Sequence, residues 1–170
     1  MINIPAEEIN ARSPYEVIPM GTNSFVFITN YGLKYNVGFS ETYMLTDDDG
    51  MYEFYITNVE HKHSPNDPLV FETIKVIIEV FFQQAPVVML YICDPSDSRQ
   101  EQRSRLYKIW FESYSNRDAF TLADMTIDFE GQIVYGGLLI RKNHPAYIEI
   151  LEAFNDFVHL VPYDTSIADK

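Results

Sequence analysis

Apolar and polar positions alternate along "SFVFITNYGLKYNVGF", residues 24–39. In its second arm Leu33, Tyr35, Val37 and Phe39 fall on one face, and Lys34 and Asn36 on the other. A period of two is that of a strand with one buried face. Asn30-Tyr31-Gly32 supplies turn chemistry between the arms, so the stretch predicts a hairpin. "TYMLTDDDGMYEFYITNVE", residues 42–60, predicts a second one that turns at residues 47–50, with Tyr52, Phe54 and Ile56 on its buried face. Residues 1–13 and 163–170 show no sustained period and read as loose tails.

The period then lengthens. In "NDPLVFETIKVIIEVFFQQAP", residues 66–86, Glu72, Lys75, Glu79 and Gln83 form one narrow polar stripe at helical spacing. Asp67 is a capping residue, Pro68 suits the first helical position, and Pro86 ends the segment. The rest is apolar, which predicts a helix buried over most of its girth. "VVMLYIC", residues 87–93, is apolar throughout and predicts a central strand. A second helix is expected from about Pro95 to Tyr114, with Asp94 as its cap. "DMTIDFEGQIVYGGLLIRK", residues 124–142, predicts a third hairpin turning at Glu130-Gly131. A third helix is expected from residues 143–145 onward, with Tyr147, Ile150, Leu151, Phe154, Phe157 and Val158 on one face. The pattern predicts an α+β fold: a largely antiparallel sheet of about seven strands built from hairpins, with three helices packed mainly on one face. The 170 residues are expected to form one domain.

Composition narrows the function classes. Net charge is −13, and 25 acidic residues face 12 basic ones. Binding a polyanion needs clustered Lys and Arg, so neither nucleic acid nor an anionic membrane is an expected partner. A protein with a basic surface would be drawn to the chain. Self-association stays open. A single cysteine excludes an internal disulfide, the longest apolar runs are too short to span a bilayer, and the first residues do not resemble a leader. The expectation is a cytoplasmic protein.

"ICDPSDSRQEQRSRLYKIWF", residues 92–111, carries the candidate chemistry. Cys93 closes an apolar strand and Arg99 follows after five residues. That is the spacing of a cysteine-dependent phosphatase loop, in which backbone N–H groups cradle a phosphate and an arginine grips it. The loop residues argue otherwise. Asp94 and Asp97 would place negative charge in the cradle, Pro95 lacks an N–H, and no glycine allows a tight nest. The same residues suit a helix start, with Asp94 as cap, Pro95 at the first position and Asp97 near the positive end. Arg103 and Arg99 extend the apolar face of Leu106, Tyr107, Trp110, Phe111 and Tyr114 by one and two turns. Core-side arginines require carboxylates such as Asp94, Asp124 or Asp128, or else an anionic ligand or a partner's carboxylate. Arg99, Arg103, Cys93 and Asp94 are thus the candidate anion or partner site.

No catalytic set and no cofactor motif is evident. His61 and His63 share a face if extended, yet they lie in a polar loop with no second ligand pair, and residues 45–56 do not fit a calcium loop. The stretches "FVFITNYGLKYNVGF" and "CDPSDSRQEQRSRLYKIWF" together resemble a family of small bacterial proteins of unknown function. The resemblance implies a single cytosolic domain and supplies no activity. The expected role is a non-catalytic interaction or regulatory module. The alternative is a small enzyme or anion-binding protein that uses the Cys93–Arg99–Arg103 end of the second helix.

Overall fold

The structure is a computed structural model that describes residues 1–47, 50–93 and 95–160. The fold is α+β, with seven strands in antiparallel ladders. The chain divides into two compact units, Met1–Thr42 with Asp49–Val87 and Tyr43–Asp48 with Val88–Lys170.

In the first unit, α1 (Ala6–Asn10) precedes β1 (Ile18–Gly21), β2 (Ser24–Ile28), β3 (Lys34–Glu41) and β4 (Met51–Asn58), which lie side by side in that order, and α2 (Pro68–Gln84) follows. The predicted alternation appears as burial of Tyr35, Val37 and Phe39 on β3, opposite Phe54 on β4. α2 starts where its capping chemistry places it, with the Asp67 carboxylate accepting from the Leu69 N–H at 3.0 Å and Pro68 at the first position. Its apolar flank meets the same sheet face. Phe81 stacks on Phe39 with ring centroids 4.1 Å apart and receives the edge of Tyr52. The Tyr15 hydroxyl donates to Asp67 at 2.6 Å and accepts from the Asn30 N–H at 3.1 Å, which ties the chain ahead of β1 to the helix cap and the first hairpin turn.

Three expectations for this unit are corrected. Residues 1–13 are not a loose tail: Ile4 and Ile9 are buried, and Asn23 holds the Ile2 carbonyl and the Ile4 N–H through its side-chain amide. The second hairpin has no strand over residues 42–45. β3 itself pairs with β4 from Tyr35↔Asn58 to Glu41↔Tyr52, and Thr42 adds one bond to Met51. The unit reaches four strands through β1, whose four residues are all exposed and so carry no alternation to read. The expected turn at residues 47–50 includes positions outside the described residues.

In the second unit, β5 (Val88–Cys93), α3 (Gln100–Ser113), a 3₁₀ turn (Arg117–Ala119), β6 (Phe120–Phe129), β7 (Gln132–Arg141) and α4 (Tyr147–Leu160) follow in turn, with the strands ordered β5-β7-β6. The Glu130-Gly131 turn has φ of +53° and +82° and joins β6 to β7 through a two-residue loop. These are the left-handed values such a hairpin needs, and glycine supplies one without strain. α3 lies on the face of Tyr91 and Asp124: Tyr107 meets Tyr91 edge-on at 5.2 Å, and Lys108 sits 3.5 Å from Asp124. α4 reaches Thr121 through the Tyr147 hydroxyl at 2.7 Å. Thr121 and Asp124 are three positions apart on one strand, so within this unit the two helices take opposite faces. α4 buries Ile150 and Phe154 on the predicted face. The expected tail at 163–170 lies outside the described residues.

Candidate functional site

The segment after β5 does not start a helix at Pro95. The Ser98 N–H bonds the Pro95 carbonyl, Ser98 takes a φ of +59°, and α3 begins at Gln100. The predicted cap and first position are thereby corrected. Asp and Pro before an apolar period suit a turn as well as a helix start, and here the turn is inserted between strand and helix. Asp94 lies outside the described residues.

Asp97 organises the turn. Its Oδ1 accepts from the Arg99 N–H at 3.1 Å and from Arg103 Nη1 at 3.0 Å, and its Oδ2 accepts from Arg103 Nη2. The Arg103 guanidinium holds the Asp97 carboxyl below the usual carboxylate range. A two-pronged arginine–carboxylate pair fixes geometry as well as charge. The carboxylate expected to help the helix dipole is thus the arginine's partner, and Asp124 is engaged by Lys108 instead. The N–H groups of Ser98 and Arg99 are engaged within the turn, and Pro95 has none, so three of the positions a phosphate cradle would use are taken.

Arg99 is exposed and does not lie on the core stripe. The packed side of α3 runs through Gln100, Arg103, Ser104, Tyr107, Lys108 and Phe111, while Leu106 is exposed. Arg103 is half-buried. Cys93 is buried at the end of β5. Burial pushes its thiol up to about 11, against the pull of Arg103 and Lys108. Thiolate, not thiol, is the nucleophile, so this cysteine is protonated near neutral pH. The structure therefore brings Cys93, Arg103 and Asp97 into one neighbourhood and leaves Arg99 at its rim.

Sequence reasoning missed the row beside them. Tyr91 lies across Gly137, where an added Cβ would stand 2.6 Å from the phenol oxygen. Burial pushes the phenols of Tyr91 and Tyr107 up. Among the described residues, the Tyr91 hydroxyl and Gln100 Oε1 are buried without a hydrogen-bond partner. The Gly136-Gly137 pair within an apolar strand was the available signal, since glycine inside a strand marks close approach. His61 and His63 are exposed loop residues, and no group of three or more metal-ligating side chains occurs among the described residues. No described helix is long and apolar enough to cross a membrane.

A family model described as a family of unknown function (DUF6169) matches residues 66–156, more than half of the chain. The match contains residues 93–111 and excludes residues 25–39. No curated protein and no solved structure matches.

Proposed function

We propose, for a chain that belongs to this family of unknown function and takes no activity from it, a non-catalytic role as a protein-interaction module. The observation that carries this reading lies in the first unit. Ile18 on β1 and Ile28 on β2 share the face of Val26, and they are 49% and 57% exposed, with Met20 beside them at 62%. Large apolar side chains grouped on a solvent-facing sheet surface mark an interaction site more often than scattered ones do. The net charge of −13 favours a partner that brings basic groups to the rim of the contact.

The enzyme reading has less support. Its nucleophile is a buried, protonated thiol, and its inner arginine is engaged by Asp97. A cytoplasmic setting goes with the proposal, since the lone cysteine forms no internal disulfide.

The test is capture of a stoichiometric partner from the native organism on the immobilised chain, at low and high salt. Wild type should retain the partner at low salt and release it as salt rises. The Ile18→Asp/Ile28→Asp variant should lose it while keeping the wild-type unfolding midpoint. A partner held equally by that variant, or no partner alongside turnover of a substrate, overturns the reading.

A further inference from the structure

The outermost strands of the two units treat their free edges differently. Beside β1 the edge is closed. The Asn10 side chain accepts from the Val17 N–H at 2.8 Å and donates to the Val17 carbonyl at 3.0 Å, in the manner of a neighbouring strand. Two residues on, Pro19 has no N–H to offer, and the register breaks between Pro19 and Gly21. Proline and bulges are the usual means of blunting an edge.

β6 has none of these devices. Ten consecutive pairs, from Phe120↔Arg141 to Phe129↔Gln132, join it to β7 without a break, and β6 itself contains neither proline nor glycine. In a two-residue hairpin the pair flanking the turn, Phe129 and Gln132, exchanges both backbone bonds, and this repeats at every second residue. Ile127, Met125, Ala123 and Thr121 therefore bond β7. The N–H and C=O groups of Asp128, Thr126, Asp124 and Leu122 point away from it, and among the described residues nothing bonds them. The side chains of Asp124 and Asp128 stand four positions apart on the α3 face. Asp124 is more than half exposed beside Lys108, and Asp128 also accepts from the Gly131 N–H.

We propose that the outer edge of β6 is a docking strand for an extended, basic segment of a protein partner, which adds to the sheet with lysine or arginine opposite Asp124 and Asp128. Main-chain bonds supply affinity in such strand addition, and alternate side chains supply specificity. A second copy of this chain fits less well. Two β6 strands paired antiparallel gather the four aspartates of two chains that each carry −13, and like charges across a strand pair destabilise it. The same two acids that deter a second copy favour a basic strand. The proposal rests on the reading of the chain as an interaction module, but it uses a strand other than those of the Ile18–Ile28 face.

The experiment uses the full chain and a synthetic nine-residue peptide of alternating valine and threonine with two lysines four residues apart, read by fluorescence anisotropy. The basic peptide should bind, and replacing its lysines with glutamate should weaken binding about tenfold. Methylating the backbone nitrogens on one set of alternate residues should abolish binding, because those N–H groups bond β6. Thr126→Pro, which removes one outward N–H without touching the β7 ladder, should weaken binding as well, and the methylated peptides carry the test if this variant misfolds. No binding at millimolar peptide, equal binding of the acidic peptide, or indifference to both methylated forms overturns the proposal. So does self-association in sedimentation that Thr126→Pro abolishes. If the peptide fails while Ile18→Asp/Ile28→Asp still abolishes partner capture, the edge proposal falls and the interaction module stands. If the peptide binds but no partner is captured, the edge stands without the apolar face.

Discussion

Arg103 illustrates how a residue's surroundings set its worth. Its side chain is 36% exposed and that of Asp97 is 42% exposed, so the pair is bidentate but solvated. Arg103→Ala should lower stability by no more than about 1 kcal/mol, below the cost of breaking a buried pair. The Asp97 carboxyl is held low by Arg103, so the pair's contribution is present above the ordinary carboxylate range and is lost as pH falls through it. Urea midpoints of wild type and Arg103→Ala should differ at pH 7 and converge in acid. Cys93 has the opposite sign. Its thiol rises from 9.0 to about 11 in the fold, so the protonated form is favoured there. The Cys93 contribution should be constant below pH 9 and fall between 9 and 11, and Cys93→Ala should flatten that part of the profile. Tyr91→Phe removes a buried hydroxyl with no described partner, so its thermal midpoint should hold or rise.

At the scale of elements, local chemistry was legible where one residue has one role. Asp67-Pro68 could only open α2, and Glu130-Gly131 could only turn a hairpin. Asp94-Pro95 has two readings, and the left-handed turn at Ser98 that separates them leaves no mark in the apolar period. That shift of the helix start is why Asp97 rather than a sheet carboxylate meets Arg103: the six-residue separation of the pair follows from the turn, not from helical spacing. β1 was missed because all four of its residues are exposed, and α1 because five residues are too few to establish a period. Two variants probe these elements. Asp67→Ala removes both the α2 cap and the Tyr15 hydroxyl's acceptor and should cost about 1–2 kcal/mol, read by denaturant unfolding. Gly137→Ala drives a Cβ into the Tyr91 ring and should cost about 1–3 kcal/mol, with part of the loss recovered when Tyr91 is also shortened to valine.

For the whole molecule, charge and surface decide more than any single site. The α+β class, the antiparallel hairpins and the buried α2 followed from periodicity. At residues 93–103 the buried cysteine and the arginine engaged by Asp97 follow from how β5 and α3 pack, which spacing alone does not encode. The exposed Ile18–Ile28 face and the β6 edge that no described residue bonds were invisible for the same reason, because exposure is set by what fails to cover a strand. The claim that the chain works by binding through these surfaces is tested most directly by amide hydrogen exchange of the full chain, free and with its captured partner. The account predicts slowed exchange along β1 and β2, and along β6 if the partner also supplies the basic strand, with residues 95–103 unchanged. Protection confined to residues 95–103, with β1, β2 and β6 unaffected, would contradict it.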